Sequence, residues 1–195
     1  MTTTISRRSR LKLANLAPER RVTIYTVQET VDLDRLLQRG RIGGEFEYGE
    51  REGPGESHWR PAYDWMRGQM AERIIGFTGE YPIWAWVRAP RYRGEALRAV
   101  KGLVRIKAKV PRGRMVLSCF DLWHHPLNKF SIDEDEASME AMWNAPIEEK
   151  AKTWHKCLDL SDRSGWAAEC FGQVNVVQAC VDGLSLDEVV DVTAL

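Results

Sequence analysis

The sequence of 195 residues lacks the glycine-rich loops by which many enzymes hold phosphate groups. It contains neither G-x-x-x-x-G-K-[ST] nor a strand-linked G-x-G-x-x-G, so nucleoside triphosphate hydrolysis and Rossmann-type redox chemistry lose their usual support. No run approaches the ~20 apolar residues of a membrane span, and no signal-peptide core stands near the N-terminus. We therefore expect a cytoplasmic protein without membrane contact.

Cysteine is scarce, and its spacing does not favour a metal site. The four cysteines form no C-x-x-C pair. Cys119 and Asp121 could form a ligand set with His124 or His125, but two adjacent histidines do not easily point into one tetrahedral site. A nucleophile made of Cys119 and a histidine is the other alternative, although a thiol buried within a strand is inert by default. We expect no metal.

Net charge is also absent, because 28 basic residues balance 28 acidic ones and no overall field draws the molecule to nucleic acid. The charge is nevertheless uneven along the chain. Residues 1–21 contain six basic residues and one acidic residue, and we expect a basic N-terminal arm that is solvated or touches phosphate. Residues 22–195, in a chain that is 44% apolar, are expected to form a single globular domain.

Tryptophan, in contrast, is abundant, and its eight residues supply large rings for a core or for a pocket that takes a flat ligand. Alternating and β-branched patterns predict strands over residues 22–27, 81–88, 103–110, 115–123, 174–181 and 189–192. Helical signals predict a short helix before Gly40 and helices over 62–75, 133–143 and 146–160. We expect an α+β fold with helices outside a mixed or antiparallel central sheet of about five to seven strands.

The connections between these elements carry expectations of their own. The strand over 103–110 places Arg105, Lys107 and Lys109 on one face, where they either meet solvent or contact phosphate. A turn at 111–114 joins this strand to the one over 115–123, which predicts a hairpin. Residues 43–61 are rich in Gly, Glu and Pro and predict an exposed loop.

The segment CFDLWHHPLN, residues 119–128, is predicted to end a strand at Trp123. Pro126 blocks continuation of the strand, so the chain is expected to turn there. Neighbouring residues of a strand point to opposite sides, so only one of the two histidines would face a cleft. We predict that His124 faces it and that His125 lies outside.

Five pieces of the chain resemble a family of small bacterial proteins classed only as a domain of unknown function, family 3841. The pieces are YTVQ (25–28), AYDWMRGQM (62–70), YPIWAW (81–86), LSCFDLWHHPLN (117–128) and VVQA (176–179). Of these, YPIWAW together with FDLWH is the most specific pair. The resemblance extends from about residue 22 to the end, and it implies no established activity.

The order of elements is also similar to that of the ADP-ribosyltransferase superfamily. Its members open with a strand whose polar exit residues hold NAD, follow it with a short helix ending in glycine, and build a split, mostly antiparallel sheet. The resemblance implies that NAD is a substrate held by Tyr25, Thr26 and Gln28. It also implies that the nicotinamide ring lies beside an aromatic side chain, for which the candidates are Trp84, Trp86 and Trp123.

Gln178 departs from the pattern of that superfamily. Where such enzymes place a catalytic Glu on the penultimate strand, this chain has a glutamine, which can form a hydrogen bond but brings no negative charge to an oxocarbenium ion. The departure implies a slowed enzyme, another acid such as Asp121 or Glu169 in its place, or a protein that only binds. A strand glutamine satisfied by neighbouring backbone is the remaining alternative.

From these resemblances we expect transfer of ADP-ribose from NAD to a macromolecular acceptor, protein or nucleic acid, weakened or inactive because of Gln178. The expected catalytic residues are Gln178 and His124, since an imidazole titrates near neutral pH and can relay a proton or orient a ribose oxygen. The alternative is a non-catalytic protein that uses the same aromatic cleft to bind a protein or nucleic-acid partner.

Overall fold

The computed structural model of the chain describes residues 5–45, 58–88 and 102–195. The helices within these residues are α1 (Arg7–Ala14), α2 (Thr30–Arg39), α3 (Arg60–Arg73), α4 (Phe120–Leu127), α5 (Glu136–Met142), α6 (Ile147–Ala151) and α7 (Gly165–Phe171). The strands are β1 (Arg21–Glu29), β2 (Arg41–Ile42), β3 (Ile83–Trp86), β4 (Leu103–Pro111), β5 (Met115–Cys119), β6 (Val177–Val181), β7 (Leu184–Ser185) and β8 (Val189–Ala194). No described helix is long and apolar enough to cross a membrane.

Six strands form the central sheet in the order β5-β6-β3-β1-β4-β8, and β2 pairs with β7 in a small separate ladder. Every pairing in the central sheet is antiparallel. Side chains alternate between the faces of β1, where Val22, Ile24 and Thr26 are buried and their neighbours are more exposed. The predicted α+β class and its antiparallel sheet are confirmed.

The predicted hairpin between β4 and β5 is wrong. A short 3₁₀ turn, Arg112–Arg114, does join them, but β5 pairs with β6 at one edge of the sheet while β4 pairs with β1 and β8. The reason lies in burial: all five residues of β5 are buried, and so are all five of β6, whereas β4 alternates. A strand placed beside β4 would have one face in solvent, as β4 does, whereas β5 is covered on both faces.

The strand predicted to run through Trp123 ends at Cys119, and Phe120–Leu127 forms helix α4. Leu122, Trp123 and Pro126 are buried, a spacing of three to four residues that fits one side of a helix. The prediction that Pro126 forces a turn is therefore wrong, because it lies within the last turn of α4. His124 and His125 are neighbours on a helix and not on a strand.

The other predicted elements are matched with shifted ends. The helix predicted over 62–75 is α3, whose buried Ala62, Met66 and Met70 recur every four residues. The region 146–160 divides into α6 and a 3₁₀ turn, Trp154–Leu158. At the division the Thr153 hydroxyl accepts from the Ile132 N–H and donates to the Lys150 oxygen, so it competes with helical bonding. The predicted loop over 43–61 lies largely outside the described residues.

The described part of the basic N-terminal arm is attached to the domain. Ile5 is buried and its N–H donates to the Asn175 oxygen at 2.9 Å. Arg10 on α1 is only 4% exposed. Its guanidinium donates to the Val174 oxygen and forms an ion pair with Asp162. A buried arginine with carbonyl and carboxylate partners is compensated, so this charge anchors α1 to the chain that precedes β6.

A buried aspartate connects two turns of the fold and the short strand β2. Asp182, between β6 and β7, is 1% exposed, and its Oδ1 lies 3.0 Å from Nη2 of Arg114 in the β4–β5 turn. Arg114 also donates from Nη1 to Glu188 at 2.7 Å. Arg41 of β2 donates to the backbone oxygen of Asp182 at 2.9 Å. These bonds hold β2, the β4–β5 turn and the β6–β7 turn in one arrangement.

Asp182→Ala should lower the free energy of unfolding by roughly 3 kcal/mol, because the substitution leaves the partly buried Arg114 charge without its main acceptor. Urea unfolding followed by circular dichroism measures the change. Asp187→Ala is the matched control, since Asp187 is an exposed aspartate near the same turn and should change stability by less than about 0.5 kcal/mol. Equal losses in the two variants would contradict the assignment.

Candidate functional site

A cleft opens in the middle of the sheet, where β1 and β3 separate. The two strands share a single pair, Tyr25 opposite Trp86. Next to that pair, the Thr26 hydroxyl donates to the Trp84 oxygen at 2.7 Å, so a side chain stands where a backbone bond would continue the ladder. The unpaired parts of the two strands border a cleft of about 400 Å³, a volume within the range of small-molecule sites.

The cleft combines aromatic walls with carboxylates. Tyr63 of α3 and the two β3 tryptophans, Trp84 and Trp86, supply the rings. The remaining lining residues are Val27, Gln28, Glu29, Asp32, Gly43, Gly44, Glu45, Pro82, Ile83 and Leu103. Flat rings beside polar groups suit a planar ligand that carries hydrogen-bonding atoms.

Gln28 and Thr26 form a short hydrogen-bonded chain at the cleft. The Gln28 Nε2 donates to the Thr26 hydroxyl at 2.7 Å, and that hydroxyl donates to the Trp84 oxygen. Thr26 is 1% exposed and is not a lining residue, so it positions Gln28 and β3 and does not meet a ligand itself. Of the residues predicted to bind NAD, Gln28, Trp84 and Trp86 line the cleft.

Trp123, also predicted to bind the cofactor, supports the cleft from behind. It is 3% exposed and does not line the cleft. Its ring centroid lies 4.6 Å from that of Trp84 and 6.1 Å from that of Tyr63. Tyr63 and Trp84 meet edge to face at 5.8 Å. The three rings brace one another, which fixes the wall that Trp84 and Tyr63 present.

Gln178 lies next to the cleft but does not line it. Cross-strand pairing places Tyr25, Trp86, Gln178 and Ser118 in one row, and directly opposite residues share a face of the sheet. Gln178 is 4% exposed, one strand beyond the cleft wall formed by Trp86. Within the described residues its Nε2 has no hydrogen-bond partner, which leaves a buried donor available to an acceptor atom.

The two histidines lie away from the cleft. His124 is exposed on α4, with its Nδ1 3.0 Å from the Phe120 oxygen, and it is not a lining residue. His125 is the more buried of the two: its Nδ1 donates to the Ser131 oxygen at 3.1 Å, and its ring meets Phe171 edge to face at 4.9 Å. The prediction that His124 faces the cleft is therefore wrong, and His125, although more buried, does not line the cleft either.

The carboxylates of the cleft are not the ones predicted. Asp121 and Glu169 are exposed on α4 and α7 and do not line the cleft. Its acids are Glu29 at the end of β1, Asp32 in α2 and Glu45 after β2. Sequence pattern marks Asp32 only as a helix cap, and nothing local to Glu45 points to the cleft. Gln28 is predicted because it is a polar residue at the end of the first strand, and Glu29, the next residue, has the same property.

Three of the four cysteines, Cys119, Cys157 and Cys180, are buried, where a thiol is a poor nucleophile. Within residues 5–45, 58–88 and 102–195, no group of three His, Cys, Asp or Glu side chains could hold a metal ion. Cys119 is fully buried, with Nη2 of Arg163 3.0 Å from its sulfur. Burial raises the pKa of the Cys157 and Cys180 thiols, so both stay protonated at neutral pH.

A family model described as "Domain of unknown function (DUF3841)" matches residues 23–165. The matched range includes β1, α2, α3 and β3, which supply most of the cleft walls. It ends at the start of α7, so β6 and Gln178 lie outside it. No curated protein and no solved structure matches the chain.

His125 should make stability depend on pH. Burial lowers the pKa of His125 below its ordinary value of about 6.5, so the unfolded chain takes up the proton first. As pH falls below about 6.5, the free energy of unfolding should therefore drop, by at most ~1.4 kcal/mol per pH unit, until the folded imidazole is also protonated. Urea unfolding between about pH 8.5 and about pH 4.5, roughly two units either side of that value, measures the change in the free energy of unfolding.

His125→Gln should remove this part of the slope. His155→Gln is the matched control, because His155 is an exposed histidine that is not among the groups that act on His125. A wild-type slope in the His125 variant would contradict the prediction.

Proposed function

Because the chain belongs to the DUF3841 family, whose description assigns no activity, we propose a function from the cleft: binding of NAD and transfer of its ADP-ribose to a macromolecular acceptor. The observation that carries the proposal is the separation of β1 from β3 beside Gln28 and Trp86. A split antiparallel sheet with polar strand-exit residues and aromatic walls is the arrangement that the resemblance to ADP-ribosyltransferases implies.

The cleft residues suit the two ends of such a ligand. Trp84 and Trp86 offer ring faces to the nicotinamide, and the cationic pyridinium of NAD is attracted to the electron-rich face of an indole. Gln28 keeps its amide oxygen as an acceptor for a ribose hydroxyl, because its Nε2 is already bonded to Thr26. Tyr25 lies opposite Trp86 in the ladder and extends the same row.

The transfer step breaks the bond between C1′ of the ribose and the nicotinamide nitrogen. The bonding electron pair leaves with nicotinamide, and positive charge develops on the ribose. An acceptor nucleophile then forms a bond to C1′ and gives its proton to a carboxylate or to water. Glu29, in the cleft, is the carboxylate that we assign to the developing charge, since Gln178 has none.

Gln178 keeps a role as a neutral hydrogen-bond donor in this proposal. Its Nε2 has no partner among the described residues, and Gln178 lies opposite Trp86 in the ladder, so we assign it as a donor to a ribose oxygen of the ligand. His124 receives no step, because it lies on the exposed side of α4 and outside the cleft.

NAD should bind the protein in isothermal titration calorimetry, and Trp86→Ala should weaken the affinity roughly 10-fold by removing the stacking surface. Trp143→Ala is the matched control, because Trp143 is 64% exposed and lies outside the cleft. Trp86→Phe should keep most of the affinity, which separates an effect on stacking from an effect on folding. Absence of any NAD binding by the folded wild-type protein would overturn the proposal.

Glu29→Gln should slow nicotinamide release from NAD roughly 100- to 1000-fold while changing NAD affinity little, because the carboxylate acts on charge that develops in the transition state. Release is measured by chromatography in the presence of cell extract as acceptor. Glu140→Gln, an exposed glutamate on α5, is the matched control. Equal rates for wild type and Glu29→Gln would remove Glu29 from the mechanism.

A non-catalytic binding protein is the second candidate, and the burial of a neutral Gln178 favours it. Such a protein would use the aromatic cleft for a protein or nucleic-acid partner. This candidate predicts that neither the wild type nor Gln178→Glu releases nicotinamide, whether or not NAD binds. Release that rises in Gln178→Glu would instead favour the enzyme.

A further inference from the structure

The half of the sheet beyond the cleft presents a face of cations. In β4, Arg105, Lys107 and Lys109 alternate with buried residues, so they share one face and are spaced by about 6.8 Å. Their partners across the ladder to β1 are Val27, Tyr25 and Thr23, and Arg21 continues the same face two residues before Thr23. The opposite face of both strands belongs to the hydrophobic core.

This face is accessible, and its lysines form no salt bridge among the described residues. Lys109 and Arg21 are exposed, and Arg105 and Lys107 are partly exposed. Within the part of the chain that the structure describes, neither Lys107 nor Lys109 forms a salt bridge. One carboxylate does lie nearby, because Asp191 of β8 is opposite Lys107, where it accepts from the Thr193 hydroxyl at 3.2 Å. No ion pair holds the two ammonium groups in place, so they can reach an external anion.

An aromatic ring stands within this row of cations. Tyr25 is directly opposite Lys107 on one side and opposite Trp86 on the other, so a ring lies between the cationic face and the cleft. It is partly exposed. A lone anion needs no such ring, whereas a chain of phosphates that also carries flat bases can use both the cations and the ring.

We infer that the face formed by Arg21, Tyr25, Arg105, Lys107 and Lys109 binds single-stranded nucleic acid, with phosphates on the cations and a base stacked on Tyr25. The cations recur at every second residue of β4, and such a row suits an extended polynucleotide backbone. A duplex hides the faces of its bases, so it could use the cations but not the ring. An anionic lipid surface would likewise use the charge alone.

The surface is continuous with the cleft but does not depend on what the cleft binds. Val27 and Glu29 line the cleft, and in β1 they fall on the same face as Tyr25. A single-stranded nucleic acid that is bound along β4 and β1 would therefore run toward the mouth of the cleft. The inference goes beyond NAD chemistry, and it is tested without NAD, so its failure is distinct from failure of the proposed function.

Fluorescence anisotropy with labelled 20-nucleotide oligo-dT and oligo-U tests the surface. Binding is measured at an ionic strength of about 0.1 M, where the Debye length is about 10 Å, and again at higher salt. We expect both to bind, with affinity falling as salt rises. The double variant Lys107→Gln/Lys109→Gln should bind more weakly, and its slope of log affinity against log salt should be smaller by about 1.4, at ~0.7 for each phosphate that the variant no longer neutralises. The full-length chain is used throughout.

The matched control is Lys129→Gln/Lys152→Gln, which removes two accessible lysines outside this face and outside the basic arm and should leave affinity and slope unchanged. Tyr25→Ala should weaken binding roughly 5- to 150-fold, while Tyr25→Phe keeps the ring and should stay near wild type. Thermal melting confirms that each variant is folded.

Four results would overturn the inference. The first is equal weakening by the two double-lysine variants, which would mean non-specific attraction. The second is a duplex that binds as tightly as the single strand, and the third is Tyr25→Ala at wild-type affinity; either would remove base stacking. The fourth is tighter binding to phosphatidylserine vesicles than to either oligonucleotide, which would assign the face to a membrane surface.

Discussion

A single cross-strand pair, Tyr25 opposite Trp86, joins the two halves of the central sheet. One half is β5, β6 and β3, and the other is β1, β4 and β8. Beside that pair the Thr26 hydroxyl reaches the Trp84 oxygen, so the strands are held apart by a side chain instead of being closed by backbone bonds. The cleft, its aromatic wall and its mouth beside the cationic face all follow from this one separation.

Buried charges fix the ends of the fold around that sheet. Arg10 anchors α1 near the start of β6, and Asp182 joins the β6–β7 turn to the β4–β5 turn through Arg114 and to β2 through Arg41. Burying a charge is costly unless hydrogen bonds and an opposite charge compensate it. The required partners are directional, so these contacts specify one arrangement of the connections where apolar packing alone would allow several.

Part of the candidate site can be predicted from local pattern. Gln28 is a polar residue at the exit of a β-branched strand, and strand alternation places Trp86 on one face with Trp84. The segment from Cys119 to Trp123 alternates like a strand, yet Leu122, Trp123 and Pro126 also satisfy helical spacing. Over so few residues the strand period and the helix period fit equally well, and only tertiary packing decides between them. The predicted position of His124 is wrong for that reason.

The sequence by itself determined the α+β class, the alternating faces of β1 and β4, the helix α3 and membership of the family. These depend on backbone preference and on hydrophobic period, which act over a few neighbouring residues. Tertiary structure decided the strand order, the partner of β5 and the gathering of Glu29, Asp32 and Glu45 around one cleft. Those features depend on which surfaces are left to be buried once all the elements meet. The fully buried β5 therefore pairs with the equally buried β6, and not with the neighbour that its short turn suggested.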